Sequence, residues 1–219
     1  MRRSVVILSC LLLVASASCG KSSRPVAAVP GAPPPADSPA NAVRLLEWSW
    51  QRRDCDALPP LFTDDYRFVF AAGDSAGGAY SVTPWVRADE LAASCGAFGQ
   101  AVDIDVNLGP PLAELPDDRP GRNPVWHRSI RAPVSLKVTV DRGGGPELVE
   151  VHGYARFYFV RGDSAAIPAE LAARGVRPDS TRWWMDRWED ETLPEGVRAN
   201  PTQTRTWGSI KAQFRPPAV

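Results

Sequence analysis

Histidine is nearly missing from this sequence, with two in 219 residues, and cysteine is scarce at four. Neither Cys-x-x-Cys nor His-Glu-x-x-His occurs, so none of the familiar metal-ligand spacings is present. Charge of one sign is missing too: 25 Lys plus Arg balance 25 Asp plus Glu, which excludes a nucleic-acid binder of the ordinary basic kind. Gly143-Gly144-Gly145 joins two strand-like segments and opens no helix, so it cradles no phosphate. Gly73-Asp74-Ser75-Ala76-Gly77 lacks the strand-turn-helix setting of a nucleophile elbow. No apolar run reaches the roughly 20 residues of a spanning helix. No cofactor and no metal are implied. What remains, 44% hydrophobic and 23% charged residues, is the composition of a globular protein with room for one sizeable domain or two small ones.

The N-terminus carries an address. Arg2 and Arg3 precede an apolar run from Val5 to Ala15, interrupted by Ser9 and Cys10 and followed by Ser16, Ala17 and Ser18. Residues 1–18 therefore read as a signal peptide. The small residues before Cys19, with Gly20 after it, resemble the lipobox of bacterial lipoproteins, although Ser16 stands where Leu is usual. The resemblance implies acylation of Cys19 and a location in the bacterial cell envelope, lipid-anchored and exported. The absence of Asp after Cys19 points to the outer membrane if the cell has one. An ordinary secretory signal is the alternative. Residues 19–37 are rich in Pro and Ala and hold no aromatic residue, which describes a disordered tether. Extended at about 3.1 Å per residue, such a segment spans roughly 60 Å.

From residue 38 the pattern changes. Ser38-Pro39 is a helix start, and Val43, Leu46 and Trp50 recur at helical spacing. A short helical turn is expected around Leu58 to Phe62, then a strand through Tyr66, Phe68 and Phe70. Thr83-Pro84 repeats the start signal ahead of a second long helix, Trp85 to Cys95, stopped by Gly96. After Gly99 the chain reads mainly as strand. Val102, Ile104 and Val106 alternate with polar residues, and a polar insertion runs from Leu108 to about Arg128. Ile130 to Val140 then alternate with Ser129, Arg131, Ser135, Lys137 and Thr139. Across the glycine turn, Val149, Val151, Ala155, Phe157 and Phe159 share one face, and Glu150, His152, Tyr154, Arg156 and Tyr158 share the other. A short helix is expected from Pro168 to Arg174. Arg182 to Asp190 and Thr204 to Phe214 read as the two final strands.

This is an α+β order: two or three N-terminal helices wrapped by one curved, mainly antiparallel sheet. The order, with Phe62-Thr63-Asp64-Asp65-Tyr66 leading into the first strand, the Trp85 to Cys95 helix, and the closing segments Trp183 to Asp190 and Trp207-Gly208-Ser209-Ile210-Lys211, resembles the nuclear transport factor 2-like (SnoaL-like) superfamily. The resemblance covers residues 38–215, leaving 216–219 as a tail. It implies a cone-shaped fold with a pocket between sheet and helices. Some members are isomerases, cyclases or dehydratases that use pocket Asp, His and Tyr residues, and others only bind or dimerise.

Few side chains are candidates for chemistry. His127 lies in the insertion and reads as a solvated loop residue. His152 shares a strand face with Tyr154 and can line a cavity or an interface, or be a plain surface histidine. Asp186, flanked by Trp184 and Trp188 on one face of its strand, is the candidate acid, with a salt bridge to Arg156 or Arg205 as the ordinary explanation. Asp64-Asp65 reads as a turn pair. Tyr154, Tyr158, Trp184 and Trp188 are candidates for a ligand or dimer surface, the alternative being core. Cys55 and Cys95 remain as an even pair in an exported domain. In the implied fold their helices lie on the same side of the sheet, so a disulfide is expected, with two small buried thiols as the alternative. The leading functional expectation is a cell-envelope lipoprotein, held at the membrane by its lipid, that binds a small apolar ligand or a protein partner without catalysis. An isomerase-type enzyme using Asp186 and His152 is the second, and a structural homodimer joined through its sheet the third.

Overall fold

A computed structural model describes residues 31–78, 80, 83–110, 113–192 and 203–215. The signal segment, Cys19 and the tail from residue 216 lie outside them.

The first helix, α1 (Pro39–Arg52), begins where Ser38 Oγ accepts from the Asn41 amide at 3.1 Å, with Pro39 in the first helical position. It ends at Arg53, whose backbone is left-handed with φ 54. Ala42, Val43, Leu46 and Trp50 form its buried stripe. A 3-10 turn, Pro59–Leu61, leads into β1 (Phe62–Val69), followed by the short α2 (Ser75–Gly78), β2 (Trp85–Val86) and α3 (Arg87–Gln100). Then come β3 (Ala101–Asn107), β4 (Leu115–Pro116), β5 (His127–Asp141), β6 (Pro146–Arg161), α4 (Ala169–Ala173), β7 (Trp183–Thr192), β8 (Gln203–Thr204) and α5 (Trp207–Phe214).

The strands form one sheet in the order β2-β1-β7-β6-β5-β3, with β4 added beside β5 and β8 beside β6. Pairing is antiparallel except for β1 with β7 and β6 with β8. The β5–β6 hairpin is its backbone. Ile130 faces Phe157 and Leu136 faces Val151 across it, and the whole inner row expected from the alternation is buried. Helices α1, α3 and α5 lie on that inner face. Trp50 of α1 meets Phe98 of α3 and Trp207 of α5 edge to face, each with ring centroids 5.2 Å apart, and Trp207 meets Trp188 of β7 at 4.6 Å. Burying side chains of this size contributes about 1.5–3 kcal/mol each.

Four expectations need correction. The final segment is a helix, because Thr206 caps it by accepting from the Ser209 amide at 3.0 Å and Trp207, Ile210, Lys211 and Phe214 fall on one helical face. The α3 helix starts at Arg87 rather than at Thr83-Pro84. Trp85 instead pairs with Phe68, and Asp89 reaches back to accept from the Val86 amide at 3.0 Å. Gly96 does not stop α3: a Cβ there would meet the Phe214 carbonyl oxygen at 2.3 Å, so glycine allows α3 and α5 to touch. Finally, the last residues of the expected tether pack on the domain. The Ala36 carbonyl accepts from the Trp183 amide at 2.7 Å, and Pro33, Pro34 and Pro35 line a groove with Leu45, Ala57 and Pro60.

The Cys55–Cys95 disulfide is present, with Cα atoms 5.5 Å apart, and fastens the segment after α1 to α3. Replacing both cysteines by serine is expected to lower stability by about 2–4 kcal/mol, read from urea unfolding as a lower midpoint, with a steeper slope because the unfolded chain is released from its loop. An unchanged midpoint would show that the bridge adds nothing to the packing of these helices.

Candidate functional site

Asp186 is placed by a break in register. Phe159 pairs with Met185 and Tyr158 with Arg187, so Asp186 is the extra residue of a bulge in β7. The extra residue switches the faces on either side of it. Trp188 belongs to the inner core, against Phe68 and Phe157, whereas Trp184 packs with Val160 and Leu171 in a separate outer cluster. The two tryptophans therefore do not flank Asp186 on one face, and both are buried.

The salt-bridge partners of Asp186 come from the 108–128 insertion, not from Arg156 or Arg205. Arg119 donates to both carboxylate oxygens at 2.9 Å, and Arg122 lies 3.0 Å away. Arg119 also binds Asp117 at 2.6 Å and lies over the Tyr158 ring at 4.1 Å. Residues 115–127 thus form a strap across the outer face, pinned by β4 and by the Asn123 to His127 turn. Burial pushes the Asp186 carboxyl above its usual range, and Arg119 and Arg122 only partly offset that. Burial acts on Asp117 in the same sense, yet hydrogen bonds from Arg119 hold it below the usual range.

The other outer-face candidates do not join Asp186. His152 pairs with Ser135, six positions along β6 from Tyr158 and so about 20 Å from the bulge by strand rise. Its ring is 45% exposed, with Nε2 3.8 Å from Glu150. The His127 ring lies against the Asn123 carbonyl at 3.1 Å, and Asp64 and Asp65, expected as a turn pair, are exposed residues within β1. Of the expected aromatic row only Tyr154 is exposed, and it is covered by Arg131 at 3.6 Å. Tyr158 is buried and donates to Glu189 at 3.2 Å. Between these rings the face is charged: Arg131 and Arg156 share Glu191, and Arg187 binds Glu189.

The space between sheet and helices, where the resemblance implies a pocket, is filled. Trp50, Trp85, Trp188 and Trp207 are fully buried there, together with Glu90 of α3 and Lys211 of α5. Glu90 Oε2 accepts from Lys211 Nζ at 2.8 Å, Trp85 Nε1 at 3.1 Å and the Tyr66 hydroxyl at 3.3 Å, while Oε1 accepts from Ser94 at 3.3 Å. The Lys211 ammonium also lies over the rings of Phe68, at 3.2 Å, and Trp188, at 3.8 Å. Beside it, Asp190 accepts from the Gly208 amide at 2.7 Å, and Thr192 accepts from the Trp207 amide at 3.0 Å, which ties the start of α5 to β7. Burial lowers the Lys211 pKa to about 8, against the opposing pull of Glu90 and Asp190. Burial, then Glu90, raises that of Tyr66. A lysine on the otherwise apolar face of a helix could have revealed this pair, had the segment been read with helical period.

One accessible feature is a cleft of about 560 Å³ at the end of β1. Its walls include Phe68 and the stacked rings of Phe70 and Tyr80, 5.1 Å apart, and its rim includes Arg67, Asp74 and Arg187. Arg187 is bound to Glu189. Arg67 donates only to the carbonyls of Asp65 and Tyr66, at 3.1 and 2.8 Å, and has no carboxylate partner among the described residues.

The depressed lysine gives a signed pH effect. Between about 8 and the ordinary 10.5, the unfolded chain keeps the Lys211 proton that the folded chain has lost, so stability rises with pH across that window. Relative to Lys211→Met, the natural protein is expected to gain up to about 3 kcal/mol there. Parallel stability–pH curves for the two proteins would contradict it.

No family model and no curated protein matches this sequence. Among solved structures the chain is similar to a conserved protein from Planctomyces limnophilus, at 17% identity and a TM-score of 0.47 over 70% of this chain and 92% of that one. It is also similar to a nuclear transport factor 2-like superfamily protein from Salmonella enterica serovar Typhimurium, at 10% identity and a TM-score of 0.40 over 68% and 84%. A third is the Kfla4162 protein from Kribbella flavida, at 13% and 0.45 over 77% and 89%. No residue role follows from likenesses of this degree. The architecture itself, helices α1 and α3 on the inner face of a mainly antiparallel sheet, is the α+β fold that the resemblance to the nuclear transport factor 2-like superfamily implies.

Proposed function

We propose that the chain is a cell-envelope lipoprotein, anchored through Cys19, whose domain binds a small apolar ligand carrying a negative charge in the cleft beside β1, without converting it chemically. The observation that carries this reading is the pairing of an aromatic wall with Arg67, a guanidinium that has no carboxylate partner among the described residues. Apolar walls with few polar groups suit a small ligand, and a free guanidinium suits a carboxylate or sulfonate. Acid–base catalysis needs a titratable group within reach of substrate. Here the rim carboxylate, Asp74, accepts from the Thr206 hydroxyl and the Ala76 amide, and the buried groups Glu90, Asp117, Asp186, Asp190 and Lys211 are each bound to partners inside the fold. With Pro33 to Ala36 packed on the domain, an extended tether from Cys19 to Pro33 would hold it about 40 Å or less from the lipid.

Two measurements test the two halves of the reading. Mass analysis of the membrane fraction should find an acylated N-terminal fragment starting at Cys19; a soluble form with a free amine there would remove the anchor. For the cleft, anilinonaphthalene sulfonate, an aromatic anion, is expected to bind the folded protein saturably at one site. Arg67→Gln should weaken that binding about tenfold, equivalent to about 1.4 kcal/mol. Equal affinity in both proteins would refute the cleft as the binding site.

A further inference from the structure

We propose that Glu90, Phe68, Trp188, Trp85 and Tyr66 form a binding site for a primary alkylammonium group, and that Lys211 is its built-in occupant. The site is independent of whatever anion the cleft receives. Its recognition groups all belong to the scaffold: Glu90 to α3, Phe68 and Tyr66 to β1, Trp85 to β2 and Trp188 to β7. Only the cation comes from α5.

The chemistry is that of an ammonium cage. Two ring faces cover Nζ with centroids at 3.2 and 3.8 Å, well inside the roughly 6 Å over which a ring attracts a cation. A carboxylate with no solvent exposure takes one N–H at 2.8 Å. A quaternary ammonium has no N–H to give Glu90, and a planar guanidinium is wider than the space the slender ammonium occupies between two rings and a carboxylate. An unbranched primary amine meets both demands, with its chain lying where the four methylenes of Lys211 now lie.

The occupant is delivered by a short helix with fastenings of its own. Besides the bonds from Asp190 and Thr192, Thr206 donates to Asp74 and Arg215 binds Asp89 at 2.5 Å and Tyr80 at 3.0 Å. These lie outside the cage, so α5 can stay seated when the lysine side chain alone is removed. Phe68 lines the cleft and also covers Nζ, which puts the cage one ring's thickness from accessible space.

The test is chemical rescue of Lys211→Ala in the full chain. The thermal midpoint is followed with added n-propylammonium chloride, and with n-butanol, tetramethylammonium chloride and sodium chloride as comparisons. Propylammonium is expected to raise the midpoint saturably by roughly 3–6 °C, with little response to the other three and none in the natural protein. Glu90→Gln combined with Lys211→Ala should abolish the response. Equal rescue by butanol would show an apolar hole rather than an ammonium site, and an equal response of the natural protein would show non-specific binding; either overturns the proposal. If Lys211→Ala does not fold, soluble yield on refolding from denaturant in the same series is read instead. Propylammonium alone should then restore it, and a yield no better than in buffer counts against the site.

Discussion

Glu90 and Lys211 have no exposure to solvent, and a lone charge left at that depth would cost several kcal/mol. Removing either partner alone therefore leaves the other charge uncompensated between α3 and α5. Their backbones touch at Gly96, and α5 carries in Trp207, which meets Trp50 of α1 and Trp188 of β7. The ion pair thus links the last helix, both long helices and the middle of the sheet in one packing problem. An uncharged side chain at 211 would leave the Glu90 carboxylate without its cation.

The outer face is organised on a different principle. Opposite charges are laid across neighbouring strands, and the buried Asp186 of β7 is matched by a strap from distant sequence rather than by the sheet itself. The bulge that turns Asp186 outward also sends Trp184 to the outer cluster and keeps Trp188 in the core. One inserted residue therefore sorts three large or charged side chains between two environments. This is why the aromatic residues of β7 do not form an exposed row.

What could be seen in the sequence was whatever has a local period or a local cap. The β5–β6 hairpin was legible because each strand buries one face along its whole length, and α1 because Ser38-Pro39 marks its start. The disulfide followed from exported context and an even pair. The final helix was not legible, since eight residues fit a period of 2 nearly as well as one of 3.6. A one-residue bulge leaves no trace in an alternation of bulky side chains, so Trp184 and Trp188 looked alike. The Arg119 and Arg122 partners of Asp186 are joined to it only through tertiary folding, and the Glu90–Lys211 pair brings together residues 121 positions apart. Long-range charge pairs have no signature in a single sequence.

The bond from the Trp183 amide to the Ala36 carbonyl has a mechanical consequence. A pull arriving along the chain from a fixed N-terminus reaches this bond and the proline packing before it reaches the Ser38 cap of α1. The load passes to the start of β7, which is held between β1 and β6 in the interior of the sheet. Tension is thereby shared across three strands instead of being concentrated on the first turn of one helix.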